Sequence, residues 1–244
     1  MTKKNRNKNK FQFRFHSHKV TVLLDKILIF RFFRSLHGRF WGIIFILTIL
    51  IGLSICFAIM PELISWSTPF SEFGNDVRTA PYFAGTMFFA AYSLWRWRNY
   101  LKRTLKRSRP IIGLLTLTII GFYLVALMPI SWKPWPYRIH FFGVFLAGGC
   151  MAITVVIDTL LSKTRRNQQQ LEWRLLRLFG FVCIIVGGFI TFGSSPSIGW
   201  YHLSLLGEVF MLIGYGTWII VKTYQGEVNR SLLSKQLKKF VLVD

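Results

Sequence analysis

Six long apolar stretches follow one another along this chain, separated by short polar or basic segments. They cover residues 41–60, 81–97, 111–130, 139–161, 176–192 and 201–221. Each approaches the roughly 20 residues with which a helix crosses about 30 Å of hydrocarbon. The pattern therefore predicts an all-α integral membrane bundle of six helices, with both chain termini on the same side of the membrane.

The fourth stretch has a narrow stripe of small and polar residues on an otherwise apolar helix. The stripe consists of His140, Gly143, Ala147, Met151, Thr154 and Asp158, and the fifth stretch has a similar one of Gly180, Cys183, Gly187, Thr191 and Ser194. At about 100° per residue each set falls on one helical face. Such stripes are typical of close packing between membrane helices. At the far end of the first stripe, we expect Asp158 to pair with Arg165 or Arg166.

The basic residues are distributed unevenly among the segments that connect the stretches. Of the 31 Lys and Arg residues, only Arg78, Lys133 and Arg138 lie in the three alternate connections. The positive-inside rule then places both termini in the cytoplasm, and we expect the cell membrane as the location. This bias accounts for the net charge of +22 without a nucleic-acid partner, so we expect none.

The same distribution divides the chain into three segments. Residues 1–40 form a basic arm, disordered over the first ten residues and then an interfacial helix in which apolar and basic residues mix. Residues 41–222 form the membrane domain, and residues 223–244 form a basic cytoplasmic tail. We expect the arm and the basic loops to bind anionic lipids of the inner leaflet.

Glu208 is the most informative single residue. It lies about 10 Å below the outer surface at 1.5 Å per residue, where an ionisable group costs roughly 3 kcal/mol unless it is paired or neutral. It is either a ligand contact, proton carrier or catalytic acid, or a hydrogen-bonded carboxyl that ties helices together. The hypothesis of an outward-facing polar pocket adds residues from neighbouring outer ends. Its proposed ligand-binding members are Glu208, His140, Tyr201, Ser204, Asp76 and Arg78, with Glu72 and Asn75 in the same outer loop.

The sequence offers little for metal or cofactor chemistry. Cys56, Cys150 and Cys183 lie inside apolar stretches without metal-ligand spacing, so we expect small buried side chains. His140, Glu208 and Asp76 are the one conceivable zinc set, and no local spacing supports it. No phosphate-binding glycine loop or catalytic triad order is present. We expect no catalytic residues, no metal and no cofactor.

Several short motifs resemble a known family. The first outer loop reads Ser71-Glu72-Phe73-Gly74, His140 opens the fourth stretch, and Glu208 lies in the sixth. This pattern resembles the six-span superfamily that includes the DRAM-like autophagy modulators and related fungal and GPI-lipid-remodelling proteins. It is also similar to a bacterial six-span family known as a domain of unknown function. The superfamily has Asp where this chain has Glu72, and Asn where it has Phe141.

The resemblance covers about residues 40–222 and implies a lipid-associated membrane protein without an established catalytic mechanism. Our favoured hypothesis is accordingly non-enzymatic: a multi-pass protein that binds or organises lipid, with an outer-half pocket around Glu208 and His140. Two alternatives stay open. One is a membrane-embedded lipid-modifying enzyme with these two residues as acid and base, and the other is a small transporter with Glu208 as proton carrier.

Overall fold

The computed structural model describes residues 37–104, 109–128, 135–161, 170–194, 199 and 202–224, and its regular elements in these ranges are helices. They are α1 (Phe40–Ile59), α2 (Ala80–Thr104), α3 (Arg109–Leu127), α4 (Trp135–Val144), α5 (Cys150–Leu161), α6 (Gln170–Gly193) and α7 (Ser204–Tyr224). A π-helical segment, Phe145–Gly149, joins α4 to α5, and two 3-10 turns, Pro61–Leu63 and Phe70–Gly74, lie between α1 and α2. The predicted all-α bundle is confirmed.

Within the described ranges, five helical segments are long and apolar enough to cross a membrane. They are Phe40–Ile59, Arg109–Leu127, Trp135–Thr159, Trp173–Gly193 and Ser204–Tyr224. Helix α2 is equally long but carries Arg96, Arg98, Lys102 and Arg103 in its C-terminal half, and it is not among the five. The integral membrane character of the chain is thus confirmed, whereas α2 as a sixth span stays a prediction.

Neighbouring helices in the sequence pack side by side. Helix α1 packs on α2, α2 on α3, α3 on the continuous α4–α5 rod, α5 on α6 and α6 on α7, while α7 also contacts α1 and α5. Aromatic rings fill the centre: Phe45 of α1 has edge contacts with Phe122 of α3 and Tyr215 of α7. Because α7 packs against α1, the last described helix lies beside the first. Residues that are far apart in sequence therefore meet at both ends of α7.

Helices α6 and α7 touch backbone to backbone at two pairs of glycines. A methyl group on Gly187 would lie 2.7 Å from the carbonyl oxygen of Gly207, and one on Gly214 would lie 2.6 Å from that of Gly180. Each helix thus presents glycines two turns apart, in antiparallel register. The packing role predicted for the Gly180 and Gly187 stripe is confirmed, and its partners are Gly207 and Gly214.

The stripe of the fourth stretch also faces the bundle interior. All six of its residues, His140, Gly143, Ala147, Met151, Thr154 and Asp158, are buried. A methyl group on Gly121 of α3 would lie 2.4 Å from the backbone nitrogen of Ala147. The small residues of the stripe therefore serve close helix packing, as predicted.

The predicted basic arm and tail fall mostly outside the described residues. Residues 1–36 and 225–244 are not described, so the interfacial helix, the disordered terminus and the division into three segments stay predictions.

Candidate functional site

Loop L1, defined here as residues 60–79 between α1 and α2, packs against the first turns of α7. The carbonyl oxygen of Trp66 accepts a hydrogen bond of 3.0 Å from the backbone N–H of Leu205. Leu205 is the second residue of α7, and the first N–H groups of a helix have no acceptor within the helix. L1 therefore caps α7 at the end of the bundle that we call the L1 end.

Glu208 lies one turn further along α7 and also binds L1. Its Oε2 accepts a hydrogen bond of 2.6 Å from the backbone N–H of Phe70, the first residue of the Phe70–Gly74 turn. A hydrogen bond from an amide offsets part of the cost of placing a carboxylate among membrane-spanning helices. The contact joins residues that are 138 positions apart in sequence, so one role of Glu208 is to hold L1 on α7.

His140 is the sixth residue of α4 and is only 1% exposed. Its Nδ1 lies 2.5 Å from the carbonyl oxygen of Met128, and because a carbonyl only accepts, Nδ1 carries the proton. In the neutral ring Nε2 is then an acceptor, and this atom is buried without a hydrogen-bond partner among the described residues. An unsatisfied buried acceptor costs about 1–3 kcal/mol, so a donor that reached Nε2 would stabilise the protein.

Glu72 lies in the Phe70–Gly74 turn, whose first residue, Phe70, is held by Glu208. The Oε2 atom of Glu72 accepts a hydrogen bond of 2.7 Å from the Asn75 side-chain amide. No hydrogen bond joins Glu208 to His140 directly, and the two residues bind different backbone groups, those of Phe70 and Met128.

Asp76 and Arg78 form a separate surface cluster in L1. Arg78 contacts the Asp76 carboxylate through Nε at 3.1 Å and the Glu62 carboxylate through Nη2 at 3.0 Å. The hydrogen bond from Arg78 is the main reason why the pKa of Asp76 lies below its ordinary value. The two residues pair with each other as surface groups and have no described hydrogen bond to Glu208 or His140.

The remaining members of the predicted pocket are placed as follows. Ser204 is the first residue of α7 and is half-buried, and Tyr201 lies outside the described residues. The backbone groups of Trp66, Phe70 and Met128 were not predicted, because a backbone N–H or carbonyl leaves no signature in the sequence. The pocket as a ligand site stays a prediction.

A second polar cluster lies at the opposite end of the bundle. The carboxylate of Asp158 lies 2.5 Å from Nζ of Lys222 and accepts a hydrogen bond of 3.0 Å from the indole N–H of Trp218. Helix α7 supplies these partners because Asp158 is buried on the face of α5 that meets α7. Arg165 and Arg166 lie outside the described residues, so the expected pairing with them stays a prediction.

The side chains that commonly bind metal ions do not cluster in the described part of the chain. Within the described ranges, no group of three or more His, Cys, Asp or Glu side chains could hold a metal ion. Cys56, Cys150 and Cys183 are free thiols buried in the bundle, as their position in apolar stretches predicted.

Taken together, the apolar helices and their glycine contacts define an α-helical, multi-pass integral membrane protein. Residues 42–224 match a family described as protein of unknown function (DUF998), and the chain belongs to this family. The predicted membership of a domain-of-unknown-function family is thus confirmed, and the resemblance to the DRAM-like superfamily stays a prediction. No curated protein and no solved structure matches the chain.

Proposed function

We propose that this protein binds or organises membrane lipid without catalysing a reaction on it, and that the L1 end holds the lipid headgroup. The observation that carries the proposal is the Nε2 atom of His140, which is buried and has no hydrogen-bond partner among the described residues. Glu208 supports it by holding Phe70, and so the whole Phe70–Gly74 turn, in place.

The chemistry of these groups favours one class of headgroup. The Nε2 lone pair of His140 and the carboxylate of Glu72 are both acceptors, so they complement a group that donates hydrogen bonds, such as a hydroxyl or an ammonium. A phosphate alone would be repelled by Glu72. The nearest described cation in L1, Arg78, is already engaged by Asp76 and Glu62.

The orientation of the protein follows from charge. Because Arg78 is the one basic residue of L1, whereas the C-terminal half of α2 carries several, the positive-inside rule supports an outward-facing L1 end. The headgroup would then belong to the outer leaflet of the cell membrane, with the basic arm and loops on anionic lipid of the inner leaflet.

Native mass spectrometry of the full chain, released from vesicles of phosphatidylethanolamine and phosphatidylglycerol, tests the proposal. We expect the wild type to retain a lipid. His140→Phe keeps a ring of similar size but removes the acceptor, so this variant should retain about tenfold less lipid, which corresponds to roughly 1.4 kcal/mol of binding free energy. We also expect Glu208→Ala to retain less, because Phe70 loses its acceptor, and Glu208→Gln to retain more than Glu208→Ala.

A nearby exposed residue of α4 provides the control. Phe142 is 57% exposed and lies about 200° around the helix from His140, so Phe142→Leu should retain lipid as the wild type does. Equal retention by wild type and His140→Phe, or no retention by the wild type, would contradict the proposal.

A further inference from the structure

A groove runs between α1 and α7 on the side of the bundle that faces the bilayer. It has a volume of about 360 Å³, and its walls include Leu50 and Leu53 of α1 and Leu212, Ile213 and Ile220 of α7. Several of these side chains are well exposed, among them Leu50 at 54% and Ile213 at 44%. The groove is therefore open to lipid along its length and closed on the protein side.

The dimensions of the groove determine what can fill it. Its α1 wall extends from Phe45 to Phe57, which at 1.5 Å per residue is about 18 Å. The hydrocarbon core of a bilayer is about 30 Å thick, so the groove extends through about the depth of one leaflet. That depth matches the reach of one acyl chain of a lipid in this leaflet.

The lining of the groove contains few polar groups that need a hydrogen-bond partner. Its two hydroxyl groups belong to Ser54 and Thr217, and Oγ1 of Thr217 already donates to the carbonyl oxygen of Ile213. An apolar chain can be buried here without a hydrogen-bond partner, whereas a polar ligand would lose the hydrogen bonds that it makes with water. The occupant is accordingly an unsubstituted alkyl chain.

Phe70 connects this groove to the L1 end. Its side chain lines the groove next to Phe57, at a ring-centroid distance of 6.1 Å, while its backbone N–H binds Glu208. From these contacts we infer that the groove between α1 and α7 holds one acyl chain of the lipid whose headgroup lies at the L1 end. The inference rests on the proposed function. It adds where an acyl chain of the bound lipid lies and that the groove holds one such chain.

Photo-crosslinking with a phosphatidylethanolamine that carries a diazirine midway along one acyl chain tests the inference. The full chain is reconstituted in vesicles of this lipid, extracted in detergent, irradiated and digested for peptide mapping. Extraction removes loosely held lipid, so we expect the remaining crosslinks to lie on the facing walls of α1 and α7. The exposed face of α6, with Phe179 and Val182, reports the background.

Two glycines provide a matched pair of variants. A methyl group on Gly216 would meet only Ile46, at 3.7 Å or more, so the side chain of Gly216→Leu can enter the groove without a backbone clash. A methyl group on Gly188 of α6 would meet nothing within 4 Å. We expect Gly216→Leu to lower crosslinking to α1 and α7 about tenfold and Gly188→Leu to leave it unchanged. Ser54→Phe, which fills the groove from the α1 wall, should reproduce the loss.

The possible outcomes separate this inference from the function on which it rests. If the wild type retains no lipid in native mass spectrometry, the proposed function itself fails. If lipid is retained but Gly216→Leu and Ser54→Phe both crosslink as the wild type does, the groove inference fails and lipid binding stands. Crosslinked dimers that join α1 of one copy to α7 of another would also overturn it, because they would assign the groove to a second copy.

Discussion

At the scale of single residues, two acidic side chains of the membrane helices are held by partners that are distant in sequence. Asp158 binds Lys222 and Trp218, with only 7% of the aspartate side chain and 12% of the lysine side chain exposed. Glu208 binds the backbone of Phe70. The sequence placed both acids in membrane helices, but it did not predict these partners, because they depend on which helices meet.

Breaking the Asp158 pair should be costly. We expect Asp158→Asn to lower the free energy of unfolding by about 3 kcal/mol, because it leaves the ammonium of Lys222 buried without a counter-charge. Removing both charges in Asp158→Asn with Lys222→Met should recover most of that loss. Unfolding by SDS in mixed micelles measures the effect.

The exposed pair in L1 serves as the control for this prediction. Glu62 and Arg78 have side chains that are 55% and 53% exposed, so Glu62→Gln should leave the unfolding midpoint unchanged. A double variant no more stable than Asp158→Asn alone would show that the loss does not come from the unpaired charge of Lys222.

At the scale of elements, the contact between α6 and α7 depends on glycines that let the two backbones touch. The stripe with Gly180 and Gly187 predicted such a contact, since small residues let membrane helices approach. The matching Gly207 and Gly214 were not predicted, because the large residues Met211 and Trp218 lie on the same face of α7 and no stripe of small residues forms. A stripe predicts that a helix packs closely but does not name the partner.

Two adjacent glycines of α6 test this contact. A methyl group on Gly187 would lie 2.7 Å from backbone atoms of α7, whereas one on Gly188 would meet nothing within 4 Å. We expect Gly187→Ala to destabilise the protein by about 1–3 kcal/mol through overpacking. Gly188→Ala should be neutral or stabilise by up to about 1 kcal/mol through helix propensity. The SDS unfolding midpoints of the two variants measure this difference in stability. Equal midpoints would contradict backbone contact at Gly187.

At the scale of the whole molecule, the number of spans depends on α2. The sequence predicts six, whereas within the part of the chain that the structure describes, length and composition support five helices and leave out α2, whose C-terminal half is basic. Helix α2 nevertheless packs against both α1 and α3. If α2 crosses the membrane, L1 and the segment after α2 lie on opposite sides.

Labelling of single cysteines with an impermeant maleimide tests this arrangement. The native cysteines are buried in the bundle, and Val77 in L1 is 85% exposed. We expect Val77→Cys to react in intact cells and Lys102→Cys, near the end of α2, to react only after the cells are opened. Reaction of Lys102→Cys in intact cells would show that α2 does not cross as predicted, and the reverse pattern would invert the orientation.

The sequence by itself determined the helical membrane bundle, the positions of its apolar stretches and the faces on which it packs. It could do so because hydropathy and helical period act within one segment. It also singled out Glu208 and His140, because polar groups are rare in apolar stretches. Only the tertiary structure decided that Glu208 holds Phe70, that the carbonyl of Met128 binds Nδ1 of His140, and that α1 and α7 enclose a groove. These features depend on backbone groups and on gaps between helices, which form only when distant segments meet.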